Sequence, residues 1–114
     1  MAEQNISVTV KAGKNGKEYR NINLKDIDVG NSIVVEKMFV EGLKVAGKFG
    51  DVFSVGVKYN DELVSFWLNI KQNEAFKSVG DVGDKIKVTA KEDRYQNPKT
   101  KVTMLVKNFD FEKV

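Results

Sequence analysis

A chain of 114 residues with no cysteine and no histidine has room for one hydrophobic core. It has no disulfide framework and none of the Ser-His, Cys-His or His/Cys zinc chemistries. Hydrophobic residues make up 41% and charged residues 31%, the balance of a soluble globular domain, and no apolar run approaches the roughly 20 residues that span a bilayer. The net charge of +3 is small, but arginine occurs only at Arg20 and Arg94, and every other basic residue is lysine. Lysine is a flexible point charge suited to a phosphate backbone, whereas planar base reading favours arginine.

The stretch Met1-Ala2-Glu3-Gln4-Asn5 carries no signal-peptide pattern, and with cysteine absent the expected compartment is the cytoplasm. Residues 6–10 alternate like a short strand, Gly13-Lys14-Asn15-Gly16 forms a turn, and residues 19–24 supply a returning strand. This leader, residues 1–23, is either a hairpin or a mobile basic arm, because its apolar face is thin. Gly13-Lys14-Asn15-Gly16-Lys17 is not a phosphate loop: it lacks the spacer before Gly-Lys-Ser/Thr and leads into no helix.

After Asp28-Val29-Gly30 comes a strand over residues 32–40, ending at Glu41-Gly42, and then a basic loop over 43–50. Residues 51–59 form a second strand, with Phe53, Val55, Val57 and Tyr59 on one face and Ser54, Gly56 and Lys58 on the other. Gly56 marks a bend or bulge. Asn60-Asp61 makes a tight turn into the next strand, where Val64, Phe66, Leu68 and Ile70 form an apolar face and Ser65, Trp67 and Asn69 fall opposite. A large flat indole between two small polar residues, on the face away from the core, is a stacking platform for an unpaired base.

The spacing predicts a helix over residues 71–79, with Asn73 as its cap, Ala75 and Phe76 inward, and Gly80 at its end. A fourth strand over 85–91 turns Ile86, Val88 and Ala90 inward and Lys85, Lys87, Thr89 and Lys91 outward. A second basic loop over 94–101 leads into a fifth strand over 102–111. Asp81 and Asp84 are close enough in sequence for a carboxylate metal site, but such spacing is usual in a solvated turn. No metal and no other cofactor is expected.

The order is strand, basic loop, strand, tight turn, strand, short helix, strand, basic loop, strand. That is the order of an all-β, five-stranded Greek-key OB barrel with one short helix between strands three and four. It occupies residues 24–114, behind the N-terminal hairpin or arm. In that fold, strands two and three and the loops joining strands one to two and four to five form the binding surface.

Here the chain resembles the single-stranded DNA-binding OB domains of the replication protein A type. The resemblance runs from Leu24 to Phe111, through the lead-in Leu24-Lys25-Asp26-Ile27-Asp28-Val29-Gly30, the segment Val64-Ser65-Phe66-Trp67 and a Gly-Asp pair at Gly80-Asp81 or Gly83-Asp84. It implies that Trp67 is the third-strand aromatic that stacks a base and that Tyr95 is a second aromatic in the loop before the fifth strand. The family's Asp-x-Thr-Gly turn is replaced by Tyr59-Asn60-Asp61-Glu62, and the helix starts later. These departures fit a diverged viral or plasmid relative, or another OB lineage.

The expected function is sequence-tolerant binding of single-stranded DNA in replication, recombination or repair, with no enzymatic activity and no membrane partner. Trp67, Tyr95 and Phe49 stack bases, Lys48, Lys58, Arg94, Lys99 and Lys101 track the backbone, and Ser54, Ser65 and Asn69 line the platform. Two other readings stay open: an RNA-binding OB module, since every base has a stackable face, and a protein-interaction module anchored by Trp67.

Overall fold

Alternation along the central strands is what the chain folds around. In the computed structural model, residues 3–13, 16–40, 42–48 and 50–114 are described. Strands β3 (Ser32–Lys37), β5 (Gly50–Tyr59) and β6 (Glu62–Leu68) bury Ile33, Val35, Val55, Val57, Tyr59, Val64, Phe66 and Leu68. β7 (Lys85–Gln96) adds Ile86, Val88 and Ala90 to this core, and β8 (Thr103–Lys113) adds Phe109. Each large apolar side chain so removed from water contributes about 1.5–3 kcal/mol. Phe53 is half-buried against the same cluster.

With β1 (Val8–Ala12), β2 (Glu18–Ile22) and β4 (Leu43–Gly47), the strands form one eight-stranded sheet in the order β1-β2-β6-β5-β3-β7-β8, with β4 paired to β5 off that path. The class is all-β, as the sequence implies, but the sheet does not close into a barrel. Phe66 of β6 and Phe111 of β8 both pack edge-on against Phe76 of the helix α1 (Ile70–Ser78), at centroid distances of 6.0 and 5.7 Å. The two strands thus face one another across the helix, yet no β6–β8 pairing occurs among the described residues. The edge of β6 is taken instead by β2, in a parallel contact where Asn21 sits opposite Ser65.

The leader is therefore a packed hairpin and not a loose arm. β1 and β2 pair from Val8 with Ile22 to Ala12 with Glu18, and Ile6, Ile22, Leu24 and Ile27 enter the core. The Gln4 N–H donates to the Ser32 carbonyl at 2.7 Å, and the Ile6 N–H donates to the Tyr59 hydroxyl at 3.0 Å. Lys14 and Asn15, half of the expected turn, lie outside the described residues.

Several boundaries differ from expectation for local reasons. The supposed basic loop over 43–50 is a hairpin: Leu43 pairs with Ser54, Val45 with Val52 and Gly47 with Gly50, which reverses the chain at a φ of +126°. β3 stops at Lys37, short of residue 40, where the chain turns off toward β4. Asn60 and Asp61 both adopt positive φ (50° and 62°), the geometry of a two-residue type I′ turn. At the far end, Arg94, Tyr95 and Gln96 belong to β7 and not to a loop, and the reversal is confined to residues 97–102.

The helix is capped by Asn69, not Asn73. The Asn69 Oδ1 accepts the Gln72 N–H at 2.8 Å and the Gln72 Oε1 accepts the Asn69 N–H at 3.0 Å, a reciprocal capping box. Starting the helix at Ile70 breaks the strand alternation there, so Ile70 is exposed, as is Ala75, while Phe76 is buried as expected. Asn73 is itself buried and accepts the Gly42 N–H at 3.0 Å. A Cβ on Gly42 would come within 2.7 Å of Val55 Cγ2, so only glycine permits this approach.

Lys37 closes the other end of the helix. It continues the inward row of Ile33 and Val35, is 1% exposed, and donates to the carbonyls of Phe76, Lys77, Val79 and Gly80 at 2.9–3.2 Å. The ammonium thereby satisfies helix-terminal acceptors at the negative end of the helix dipole. Burial pushes its pKa below the ordinary lysine value, and the nearby Asp81 and Asp84 carboxylates oppose that shift. No helix among the described residues is long and apolar enough to cross a membrane.

Candidate functional site

Trp67 projects from the outward face of β6 with 56% of its surface exposed, while its neighbours Phe66 and Leu68 are buried on the other side. Strand register determines what surrounds it. Ser54 sits directly opposite Trp67 on β5, and Ser65, two residues back on the same face, is opposite Gly56 and Asn21. The Ser65 hydroxyl donates to the Asn21 Oδ1 at 2.5 Å, locking β2 against β6 at this point. Small polar side chains therefore floor the surface beside the indole.

Two grooves meet at Trp67. The larger, about 580 Å³, runs between the N-terminal hairpin and β8 and is bounded by Lys11, Asn21, Lys25, Trp67, Asn69, Gln72, Lys107 and Phe109, among others. It occupies the opening left where β6 and β8 fail to pair. The smaller, about 350 Å³, is bounded by Lys11, Ala12, Tyr19, Asn21, Ser54, Ser65 and Trp67. Three lysines (Lys11, Lys25 and Lys107) and no aspartate or glutamate border these grooves among the described residues. In a chain with 16 acidic residues against 19 basic ones, lysine thus supplies the charged side chains on the lining of both grooves. The Lys107 ammonium donates to the Lys25 carbonyl at 2.6 Å, which draws the ends of these two lysine-bearing segments together.

Of the residues singled out in the sequence, Trp67, Ser54, Ser65 and Asn69 come together here. Asn69 carries a second task, since its side chain caps α1. Lys58 shares the outward face of β5 with Ser54 but borders neither groove, and lies level with Glu36 and Leu63. Lys48 is at the β4–β5 reversal, and Phe49 lies outside the described residues. Arg94, Tyr95, Lys99 and Lys101 are at the far end of the β7–β8 ribbon and border neither groove.

Sequence reasoning missed Lys11, Tyr19, Asn21, Lys25 and Lys107, although one signal was present. Tyr19 and Asn21 alternate with the buried Ile22, which places them on the face away from the core. It also missed Phe39. A Cβ on Gly56 would lie 2.8 Å from Phe39 Cε2, so Gly56 is the seat of this chain's own aromatic ring and not simply a bend. Phe39 remains 55% exposed and borders neither groove.

Asp81 and Asp84 form a turn: the Asp84 carboxylate accepts the Asp81 N–H at 2.7 Å, and Lys113 is 3.4 Å away. The Asp81 N–H holds the Asp84 pKa below its ordinary value; desolvation is the next largest influence and opposes it, and Lys113 and Lys37 add to the lowering. No group of His, Cys, Asp and Glu able to hold a metal is present among the described residues. Comparison with protein-family models, with curated proteins and with solved structures finds no match to this chain.

Proposed function

We propose that this protein binds single-stranded DNA with little sequence preference, through the Trp67 grooves, and has no enzymatic role. The observation that carries the reading is an exposed indole on a floor of small polar side chains, bordered by three lysines and no carboxylate. A π-face accepts any base, and lysine neutralises phosphate without reading sequence. Trp67 stacks a base, and Lys11, Lys25 and Lys107 follow the backbone on either side. Arg94, Lys99 and Lys101, away from the grooves, add only screened long-range attraction.

The fold is proposed as an opened OB barrel of the kind seen in replication protein A-type domains, with β3, β5, β6, β7 and β8 as its strands one to five. The pairings β3–β5, β5–β6, β3–β7 and β7–β8 support this, as does a helix between β6 and β7. A second reading, protein interaction, has one observation in its favour: Tyr95, Met104 and Val106 are exposed on one face of the β7–β8 ribbon.

Anisotropy of labelled oligothymidine, its RNA counterpart and matched duplex tests the proposal. The expected result is tightest binding to single-stranded DNA, with a log-log salt slope near −2 if about three phosphates are neutralised at roughly −0.7 each. Binding to neither nucleic acid, by folded protein at low salt, would leave the protein-interaction reading in its place.

A further inference from the structure

We infer that the β1–β2 hairpin is the second wall of the strand-binding site, with Tyr19 stacking the base next to the one on Trp67 and Lys11 holding phosphate between them. This rests on the nucleic-acid reading above. Lys11 and Tyr19 are direct cross-strand partners, and the register puts them on the same face of the hairpin as Asn21, whose side chain meets Ser65 beside Trp67. The smaller groove is thus bounded on one side by the Trp67 indole and on the other by Tyr19 and Lys11, with Ser54 and Ser65 beneath. Its volume of about 350 Å³ is in the range of sites that hold small organic ligands.

Packing gives no competing account of Tyr19. The hairpin is anchored by its other face, where Ile22 is buried and Val8 packs on the core, and Tyr19 is 49% exposed. Its position is nonetheless held, because Asn21 is bonded to Ser65 and Arg20 pairs with Glu62 at 2.9 Å on either side of the contact with β6. The smaller groove continues into the larger one through Lys11, Asn21 and Trp67, which border both. A strand can therefore pass from Tyr19 over Trp67 toward Lys107 without leaving a carboxylate-free surface.

The test measures oligothymidine binding by anisotropy, as a function of salt, for the wild type and for Trp67→Ala, Tyr19→Ala, Tyr19→Phe, Lys11→Ala and Val10→Ala. Val10 is exposed and lies on the opposite face of the same hairpin. The expected result is a loss of about tenfold for Tyr19→Ala, recovery in Tyr19→Phe and no change in Val10→Ala. Lys11→Ala should make the salt slope shallower by about 0.7. If Trp67→Ala weakens binding while Tyr19→Ala and Lys11→Ala match the wild type, the hairpin wall is overturned and the Trp67 reading stands. An equal loss in Val10→Ala also overturns it, by showing that the hairpin acts through its fold and not through this face. Absence of binding by the wild type overturns both.

Discussion

Trp67 and Tyr95 are each half exposed on a strand and each has lysines nearby in the sequence, yet they stand on different ground. Trp67 has paired strands on both sides, β5 and β2, and the core packs directly behind it through Phe66 and Leu68. Tyr95 is on the outer part of the β7–β8 ribbon, where Arg94, Tyr95 and Gln96 pair only with Leu105, Met104 and Thr103 and no third strand joins among the described residues. A wide, supported face can hold a flexible ligand against fixed groups. A two-stranded ribbon presents side chains to solvent on both faces and builds no concavity. Aromatic-plus-basic composition marks both regions alike; neighbouring strands distinguish them.

The contrast can be broken most severely by stability. Phe66→Ala, behind the Trp67 face and against Phe76, should cost about 3–5 kcal/mol, whereas Leu105→Ala on the ribbon should stay within about 0.5 kcal/mol. Denaturant titration of both variants checks this, and equal losses would mean that the ribbon is packed as firmly as the face. Next is Lys37→Met, which strips the helix-end carbonyls of their donor and should destabilise by about 1–3 kcal/mol without moving Trp67. Its thermal unfolding read beside its oligonucleotide affinity separates the two effects.

For binding, Trp67→Ala should lose about 1–3 kcal/mol of affinity for oligothymidine, and Tyr95→Ala less than threefold (about 0.7 kcal/mol). Similar losses would erase the distinction between face and ribbon. The smallest effect concerns the root of the ribbon, where Asp84 meets Lys113. The folded-state pKa of Asp84 is depressed, so its contribution is complete above the ordinary value of 3.8 and is lost as pH falls below it. Asp84→Asn should give up a small part of the stability at neutral pH and converge with the wild type as pH falls, which flattens the acid limb, as denaturant titrations at neutral and acid pH would show.

Much of the fold was legible because period-two patterning is strict in β5 and β6, where one face is buried and a slip by one residue would invert it. The exposed Trp67 and the tight turn at Asn60-Asp61 follow from that pattern. The same logic applied to β3 would have put Lys37 inside with Ile33 and Val35, but a charge invites an outward assignment unless its partners are visible, and these lie about forty residues away. The Asn69 cap was spelled by Gln72 three residues on, though Asn73 competed for the role. β4 was hidden by the flanking glycines. Barrel closure was not legible, since whether β6 pairs with β8 or with β2 depends on long-range competition that no local pattern encodes. The hairpin wall was lost for a related reason: Tyr19 and Lys11 acquire meaning only once Asn21 is seen to meet Ser65.

Trp67 is the sole tryptophan, so its own fluorescence reports on the central claim without a label. Titration with oligothymidine and with matched duplex, at low and moderate salt, should give strong quenching by the single strand, little response to duplex and an affinity that falls as salt rises. Unchanged emission in the presence of single strands that bind by anisotropy would place the ligand elsewhere and contradict the account.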